Sequence, residues 1–420
     1  MSNTNSSKIH LGLLLSDSVN KKGLIAKLFS HEKKAILQKF CDGKGLIFSD
    51  FVIEKIHEEE RRYDECLIAY RKLATYSSGE RKKLFIEHIL KQNPDFIVLD
   101  NPLDHLDQES RVVFSKTLEE ISRKTTLIQL ASRAADFLGF IDQKFKLSGE
   151  KFDLIPLSAE LEKDQKVSKN HLNLPENSSK TRKTKDELVK MKQISVSYDG
   201  KPIVKDISWT IFQGDFWQLI GPNGSGKSTI LSLITGESTK GYGQELYLFG
   251  KKKGSGESIW EIKQQIGYFA PNMIELFQRN NTLKEMILSG FYDSVGLYDK
   301  PSTFQQNKAL QWLQLAKMEN LKNHNFNKLS PGQQRLGLIL RAVVKNPSLL
   351  ILDEPTEGLD DIAAGLVIEL ITTFRSQTAM AIVFVSHRVE KGLEPRAVLE
   401  LLPSTEGSIS KVTSSNNNKV

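Results

Sequence analysis

Apolar positions along the chain come in short runs separated by charged stretches of helical period, and the runs fall into two sets. In the first set, Ile9 to Leu15, Asp95 to Leu99 (D-F-I-V-L) and Thr126 to Leu130 read as strands. Short, nearly continuous apolar runs of this kind suit strands covered on both faces. Between them, Leu24 to Phe29 starts a helix, Glu54 to Lys72 is long, charged and helical by composition, and Leu84, Phe85, Ile89 and Leu90 share one face of another helix. In the second set the predicted strands are Lys192 to Tyr198, Pro202 to Phe212, Asp215 to Ile220, the run ending at Asp353 and the run from Ala381. Thr229 to Thr235, Leu283 to Ser289, Gln305 to Leu315 and the segment from Leu329 through Val344 read as helices. Glu245 to Phe249 and Lys263 to Phe269 flank the turn-like K-K-K-G-S-G-E-S, which predicts a hairpin or a larger excursion. Strands alternating with helices predict an α/β fold.

From about Leu157 to Lys190 the hydrophobicity falls and Lys, Ser, Asn and Glu dominate, the composition of a linker. The organisation expected is therefore a first α/β domain over residues 8–154, a polar linker over 155–190, a second domain over 191–403 and a loose, low-complexity tail over 404–420. The two domains are one pattern written twice. Gly79, Asp100 and Asp107 match Gly332, Asp353 and Asp360, each pair 253 residues apart, so the register needs no gap. A repeat of this length is a duplicated domain rather than a solenoid.

Composition narrows the class. With 39% hydrophobic and 26% charged residues the chain has the material for globular cores. No apolar run approaches the ~20 residues a membrane span needs, and the leader M-S-N-T-N-S-S lacks the basic start of a signal peptide. Only Cys41 and Cys66 are present, too few for a disulfide framework and at no metal spacing, which fits a reducing cytosol. Much of the net charge of +7 is concentrated in Lys180 to Lys192, most simply a solvated linker, although it could also favour an acidic partner.

The chemistry centres on I-G-P-N-G-S-G-K-S-T at Ile220 to Thr229. Gly221, Pro222, Asn223, Gly224, Ser225, Gly226, Lys227 and Ser228 satisfy G-x-x-x-x-G-K-[ST], a loop whose backbone N–H groups wrap a nucleotide's phosphates. Lys227 reaches the β and γ phosphates, Ser228 takes Mg²⁺, and Thr229 continues into a helix whose positive end faces the anion. Downstream, Asp353 ends an apolar strand, Glu354 follows it, and His387 ends the next strand. Asp353 offers a hard oxygen ligand suited to Mg²⁺.

Taken in order, G-P-N-G-S-G-K-S-T, L-S-P-G-Q-Q, L-L-I-L-D-E-P, G-L-D and V-S-H resemble an ABC-type nucleotide-binding domain across residues 188–403. The resemblance implies two P-loop ABC-type domains in tandem that meet head to tail, each ATP lying between one domain's phosphate loop and the other's signature. It also implies that Tyr198 stacks on adenine, that Glu354 polarises the attacking water as general base, and that His387 contacts the γ-phosphate. Pro271 stands where the family has a glutamine, with Asn272 next.

The first domain is the degenerate and shortened copy. Laid without a gap on the second, it places Ser16, Val19, Lys21, Lys22 and Gly23 at Gly221, Gly224, Gly226, Lys227 and Ser228, so that only Lys22 keeps its residue type. From Lys22 to Gly79 is 57 positions, against 105 from Lys227 to Gly332. Asn101 replaces the base and Arg133 the histidine, whereas Asp100 and the signature residues Ser77, Ser78 and Gly79 remain. The expectation is one composite ATP site, with Ser78 offering a hydroxyl to the γ-phosphate.

Within the superfamily, T-L-K-E-M-I-L-S-G-F-Y-D-S-V-G-L-Y (Thr282 to Tyr298), the stretch from Leu329 to Pro347, and F-S-D-F…E-E-E-R-R-Y-D (Phe48 to Asp64) are similar to the ModF-like, or photorepair, family of tandem molybdenum-transport ATP-binding proteins. That resemblance implies a cytoplasmic ATPase, peripheral at the inner face of the membrane when it meets permease subunits, that energises or regulates import of a molybdate-type ion. The alternative is an ABC-F-like soluble factor acting on the ribosome or nucleic acid. The linker of about 35 polar residues is roughly half the length that alternative calls for.

Overall fold

A computed structural model of the chain describes residues 8–16, 19–30, 35–148, 153–157, 186–277, 280–387, 390 and 392–414. Most of the expected linker lies outside these residues. The chain divides into two compact units, residues 1–169 together with 357–362, and residues 170–356 together with 363–420.

The first unit is built on a six-stranded sheet in the order Gly45–Phe48, Phe96–Asp100, Thr126–Ala131, Leu11–Leu15, Gln143–Ser148, Asp153–Pro156. The first five run parallel and the last is antiparallel. Alternate side chains of each strand enter opposite cores: Phe96 and Val98 join Leu11, Leu13, Leu24 and Leu28, while Ile97 and Leu99 join Phe48, Phe85, Phe114 and Leu118. Both faces are covered by helices, which is why the strands read as continuous apolar runs rather than alternating ones.

The second unit repeats that sheet strand for strand: Ile266–Phe269, Leu349–Asp353, Ala381–Val385, Phe216–Ile220, Ala397–Leu402, Ile409–Ser414. It adds a four-stranded antiparallel sheet of Lys251–Lys252, Glu245–Leu248, Glu187–Tyr198 and Lys201–Phe212, without a counterpart among the described residues of the first unit. The units also differ in what precedes the signature helix. Residues 49–77, 29 in all, connect Phe48 to the helix Ser78–Leu90, whereas residues 270–330, 61 in all, connect Phe269 to the helix Pro331–Val343 and include the helices Leu283–Leu288 and Thr303–Leu315.

Several expectations are corrected. The helix predicted over Glu54 to Lys72 spans Asp50–Tyr63 and stops at Asp64, whose φ is 58°. The cause is the fully buried Glu60, whose carboxylate accepts the backbone N–H groups of Leu67 (3.0 Å) and Leu73 (2.6 Å) and folds the chain back. A buried carboxylate needs such donors. Lys263 to Gln265 belongs to the helix Ile259–Gln265 and not to the strand after it, so the excursion is a short hairpin followed by a helix. The strand Glu187–Tyr198 starts inside the stretch assigned to the linker. The stretch assigned to a loose tail contains Ile409–Ser414, an edge strand paired with Ala397–Leu402, and Ser408 exchanges backbone hydrogen bonds with Ile203 and Lys205. Its polar side chains are those of an exposed edge, which is what made it resemble a tail.

Candidate functional site

The phosphate loop leaves the central strand Phe216–Ile220, flanked by Ala381–Val385 and Ala397–Leu402, and runs into the helix Lys227–Ile234. Gly226, the N-cap, has φ 93°, and a Cβ there would stand 2.5 Å from Val204 Cγ1. Only glycine allows this turn beneath the small sheet. Gly224, at φ 78°, faces open space. Asn223 and Ser228 are exposed, Gly221, Pro222, Lys227 and Thr229 are half-buried, and Ser225 is buried. Lys227 Nζ donates to the carbonyls of Gly221 (2.7 Å) and Pro222 (3.0 Å), so the ammonium is held over its own loop. Because Gly226 has no side chain to cap the first turn, the N–H groups there suit an anion.

Two strands away, Asp353 closes the buried run Leu349 to Leu352 in register with Val385. Glu354 then adopts φ 49°, a left-handed conformation that costs a non-glycine residue about 1–2 kcal/mol. Its N–H donates to Val385 O (2.9 Å) and its carbonyl accepts from Arg335 Nη1 (3.2 Å). Its Oε1 lies 2.9 Å from His387 Nε2, with the side chains 24% and 10% exposed. The strained turn thus aims a half-buried carboxylate at the imidazole at the end of the neighbouring strand. Strain held by surrounding contacts is a mark of functional positions.

Tyr198 ends its strand at the Asp199–Gly200 turn, where both residues have positive φ (49° and 76°), the geometry of a two-residue hairpin. Its ring is 42% exposed, with Lys240 Nζ 5.5 Å from the ring centre. Such a face can stack on a base. Pro271 and Asn272, in the family's glutamine slot, lead into the short helix Met273–Leu276.

The first unit reproduces this scaffold with different chemistry. Its loop is one residue shorter, so the helix begins at Lys21 and the counterpart of Lys227 is Lys21, not the Lys22 of the ungapped register. Lys21 is ion-paired with Asp100, the counterpart of Asp353. Burial pushes the Asp100 carboxyl up while the Lys21 ammonium draws it back down. At the helix N-terminus the Asn20 side chain accepts from Gly23 N (3.0 Å), so a cap takes up an N–H that the second unit leaves to an anion. Asn101 repeats the turn of Glu354, with φ 42° and its N–H on Leu130 O (3.0 Å). Its amide exchanges hydrogen bonds with Ser132, each 3.1 Å, in place of the Glu354 and His387 pair, and the strand register puts Ser132, not the expected Arg133, at the histidine's place.

Both signature helices start in a capping box. Ser77 closes one with Glu80 and Ser330 closes the other with Gln333. Ser77 is thus the counterpart of Ser330, and Ser78 occupies the place of Pro331, so the hydroxyl expected of Ser78 belongs to Ser77. Gly79 packs close to Ser110, whose Oγ would be 3.1 Å from a Cβ there.

A protein-family model described as ABC transporter matches residues 204–357. The chain is 35% identical over 333 residues to the ABC transporter ATP-binding protein ModF of Escherichia coli strain K12, covering 76% of this chain and 68% of that protein. It is 30% identical over 296 residues to an ABC transporter ATP-binding protein of Schizosaccharomyces pombe, covering 69% of this chain and 60% of that protein. Among solved structures, the model of ribosome-bound archaeal Pelota and ABCE1 contains a chain similar to this one with a TM-score of 0.65 and 14% identity, covering 97% of this chain and 75% of that one. At that identity the likeness is one of fold, two such domains in one chain.

Proposed function

We propose that this chain, which belongs to the ABC transporter ATP-binding proteins and is an ATPase, hydrolyses ATP at one site, built on its second half and covered by the signature of its first. The observation that carries this reading is the contrast at one turn: Glu354 beside His387 in the second half, Asn101 beside Ser132 in the first. A carboxylate can take a proton from the attacking water, and an amide cannot do so near neutral pH. Water oxygen then bonds to the γ-phosphorus as the bond to the β,γ-bridging oxygen breaks, releasing ADP and phosphate.

Tyr198 offers the adenine platform. Gly221, Pro222, Asn223, Gly224, Ser225, Gly226, Lys227, Ser228 and Thr229 form the phosphate cradle, with Lys227 as its cation. The Ser228 hydroxyl and the Asp353 carboxylate are hard oxygen donors that fit Mg²⁺, which when bound draws charge from the β and γ phosphates. Ser77, Ser78 and Gly79 of the first half supply the covering signature.

The physiological role we propose is energising or regulating import of a molybdate-type ion together with membrane permease subunits. It is supported by the resemblance to the ModF-like family and by the 35% identity to ModF. Among the described residues no helix is long and apolar enough to cross a membrane, and in the role we propose the permease subunits supply the transport path. Two measurements test the proposal. Glu354→Gln should occlude one ATP per chain, and two would refute the single site. Affinity capture from cells should bring down permease subunits, and ribosomes in their place would move the chain to the soluble ABC-F-like class.

A further inference from the structure

A basic residue stands at the fifth position of both signature helices, Lys82 in Ser78–Leu90 and Arg335 in Pro331–Val343, again 253 residues apart. Lys82 is only 3% exposed, an unusual place for an ammonium, and it is fully engaged. Its Nζ donates to the carbonyls of Pro102 (3.1 Å) and Asp104 (2.8 Å) and to the Asp50 carboxylate (3.0 Å). Pro102 and Asp104 lie in the turn that follows Asp100 and Asn101, and Asp50 lies two residues past the strand Gly45–Phe48. Arg335 spans the equivalent elements of its own half. Its guanidinium is 5.9 Å from the ring centre of Phe269, the last residue of the equivalent strand, and its Nη1 donates to the carbonyl of Glu354.

From this we infer that Arg335 is a positioning residue for hydrolysis, which fixes the left-handed turn of Glu354 from the signature helix and so ties the carboxylate's aim to that helix. The inference rests on the reading of Glu354 as the base. Contacts on both of its peptide groups hold the Glu354 backbone: Val385 O takes its N–H from the neighbouring strand, and Arg335 holds its carbonyl from the opposite side. A left-handed glutamate held at only one of these peptide groups is free to relax toward the right-handed region, which swings the side chain away from His387. Arg335 touches neither water nor phosphate in this role. In the first half the lysine at the same helix position holds the next stretch of the turn, the Pro102 and Asp104 carbonyls, while the Asn101 carbonyl accepts the Asp104 N–H (3.1 Å).

The test is steady-state ATPase of the full chain with nucleotide affinity measured beside it. Arg335→Met should lower kcat by about tenfold or more, the size of effect a displaced general base produces, with KM and ATP affinity within about twofold. Arg335→Lys should recover most of the lost kcat, because it returns a cationic donor to the helix face that meets the Glu354 carbonyl. In the Glu354→Gln background Arg335→Met should cost nothing further, since both changes remove one function. Should the methionine variant fail to fold, Arg335→Leu, which also lacks a donor, takes its place and must meet the same three criteria. Unchanged kcat, an equal loss of ATP affinity, failure of lysine to rescue, or an additive loss on top of Glu354→Gln each overturns the inference while leaving Glu354 as the base. Wild-type turnover by Glu354→Gln alone overturns the parent reading and this one together.

Discussion

Lys21 is ion-paired with Asp100 in the first half, across the place where a nucleotide's phosphates and metal would lie, whereas Lys227 is held by the Gly221 and Pro222 carbonyls of its own loop. The first pair satisfies its own charges, and a phosphate entering there must first break it and displace the Asn20 cap. The second loop exchanges two backbone contacts for phosphate oxygens, which are stronger partners of an ammonium. Lys227→Ala should therefore abolish ATP binding and Lys21→Ala should leave it unchanged. Equilibrium titration with a fluorescent ATP analogue checks both, and a second site lost on Lys21→Ala would show that the pair opens.

The single-site proposal predicts that turnover needs the Glu354 carboxylate itself and not only the turn that aims it. Asn101 keeps the same left-handed backbone as Glu354, so Glu354→Gln should preserve the local fold. Phosphate release should drop by ~10² or more, the usual contribution of a general base, with ATP still bound. Turnover retained in a phosphate-release assay would mean that another group activates water.

The duplicated sheet was legible in the chain because strands covered on both faces are short and apolar, as in Phe96–Asp100 and Leu349–Asp353. The phosphate loop and the strand-end acids were legible because their chemistry fixes residue type and spacing together. What escaped depends on conformation. The shift from Lys22 to Lys21 follows from a loop one residue shorter, and no residue identity signals it. The capping boxes carried the signal that Ser77, not Ser78, matches Ser330: a serine followed three residues later by Glu80 or Gln333. The fold-back held by Glu60 was illegible, since a glutamate in a charged run reads as solvated. Arg335 escaped for the opposite reason, being an ordinary helix residue until its contact with the Glu354 carbonyl is seen.

The first half should be acid-sensitive at His10. Its Nδ1 accepts the backbone N–H of Leu127 (3.1 Å) and the His10 backbone N–H donates to the Asp142 carboxylate (2.9 Å), with the ring set edge-on to Phe140. Burial lowers the His10 pKa from its ordinary 6.5, with Lys8 adding to the effect and Asp142 opposing it. A lowered folded value means the unfolded chain takes up the proton first, so stability is full above 6.5 and is lost as pH falls from there toward the folded value. His10→Asn keeps an acceptor near Nδ1 and does not titrate. Its melting temperature should fall less than the parent's between about pH 7.5 and about pH 5.5, and equal falls would place the sensitivity elsewhere.

The single-site proposal predicts opposite fates for the two signatures. Ser77 and Ser330 are both N-caps, and aspartate caps a helix as well as serine does, so Ser77→Asp and Ser330→Asp should leave both helices intact. In the proposed head-to-tail pairing each would put a carboxylate where the covering signature meets a γ-phosphate. If the ATP held by Lys227, Ser228 and Asp353 is covered by the first half, Ser77→Asp sets like charges against each other in a closed site, costing on the order of 4 kcal/mol at an effective dielectric near 20. Open-state ATP binding, which needs only the second half, should survive it. On the same proposed pairing Ser330→Asp would meet the loop that the Lys21–Asp100 pair and the Asn20 cap already satisfy, and ATPase activity should persist. Gly79 is the poorer target, because a side chain there meets Ser110 and a fall in activity could come from packing alone. An inactive Ser330→Asp beside an active Ser77→Asp would mean that the second half is covered by the second half of another chain, and the intramolecular pairing would be wrong.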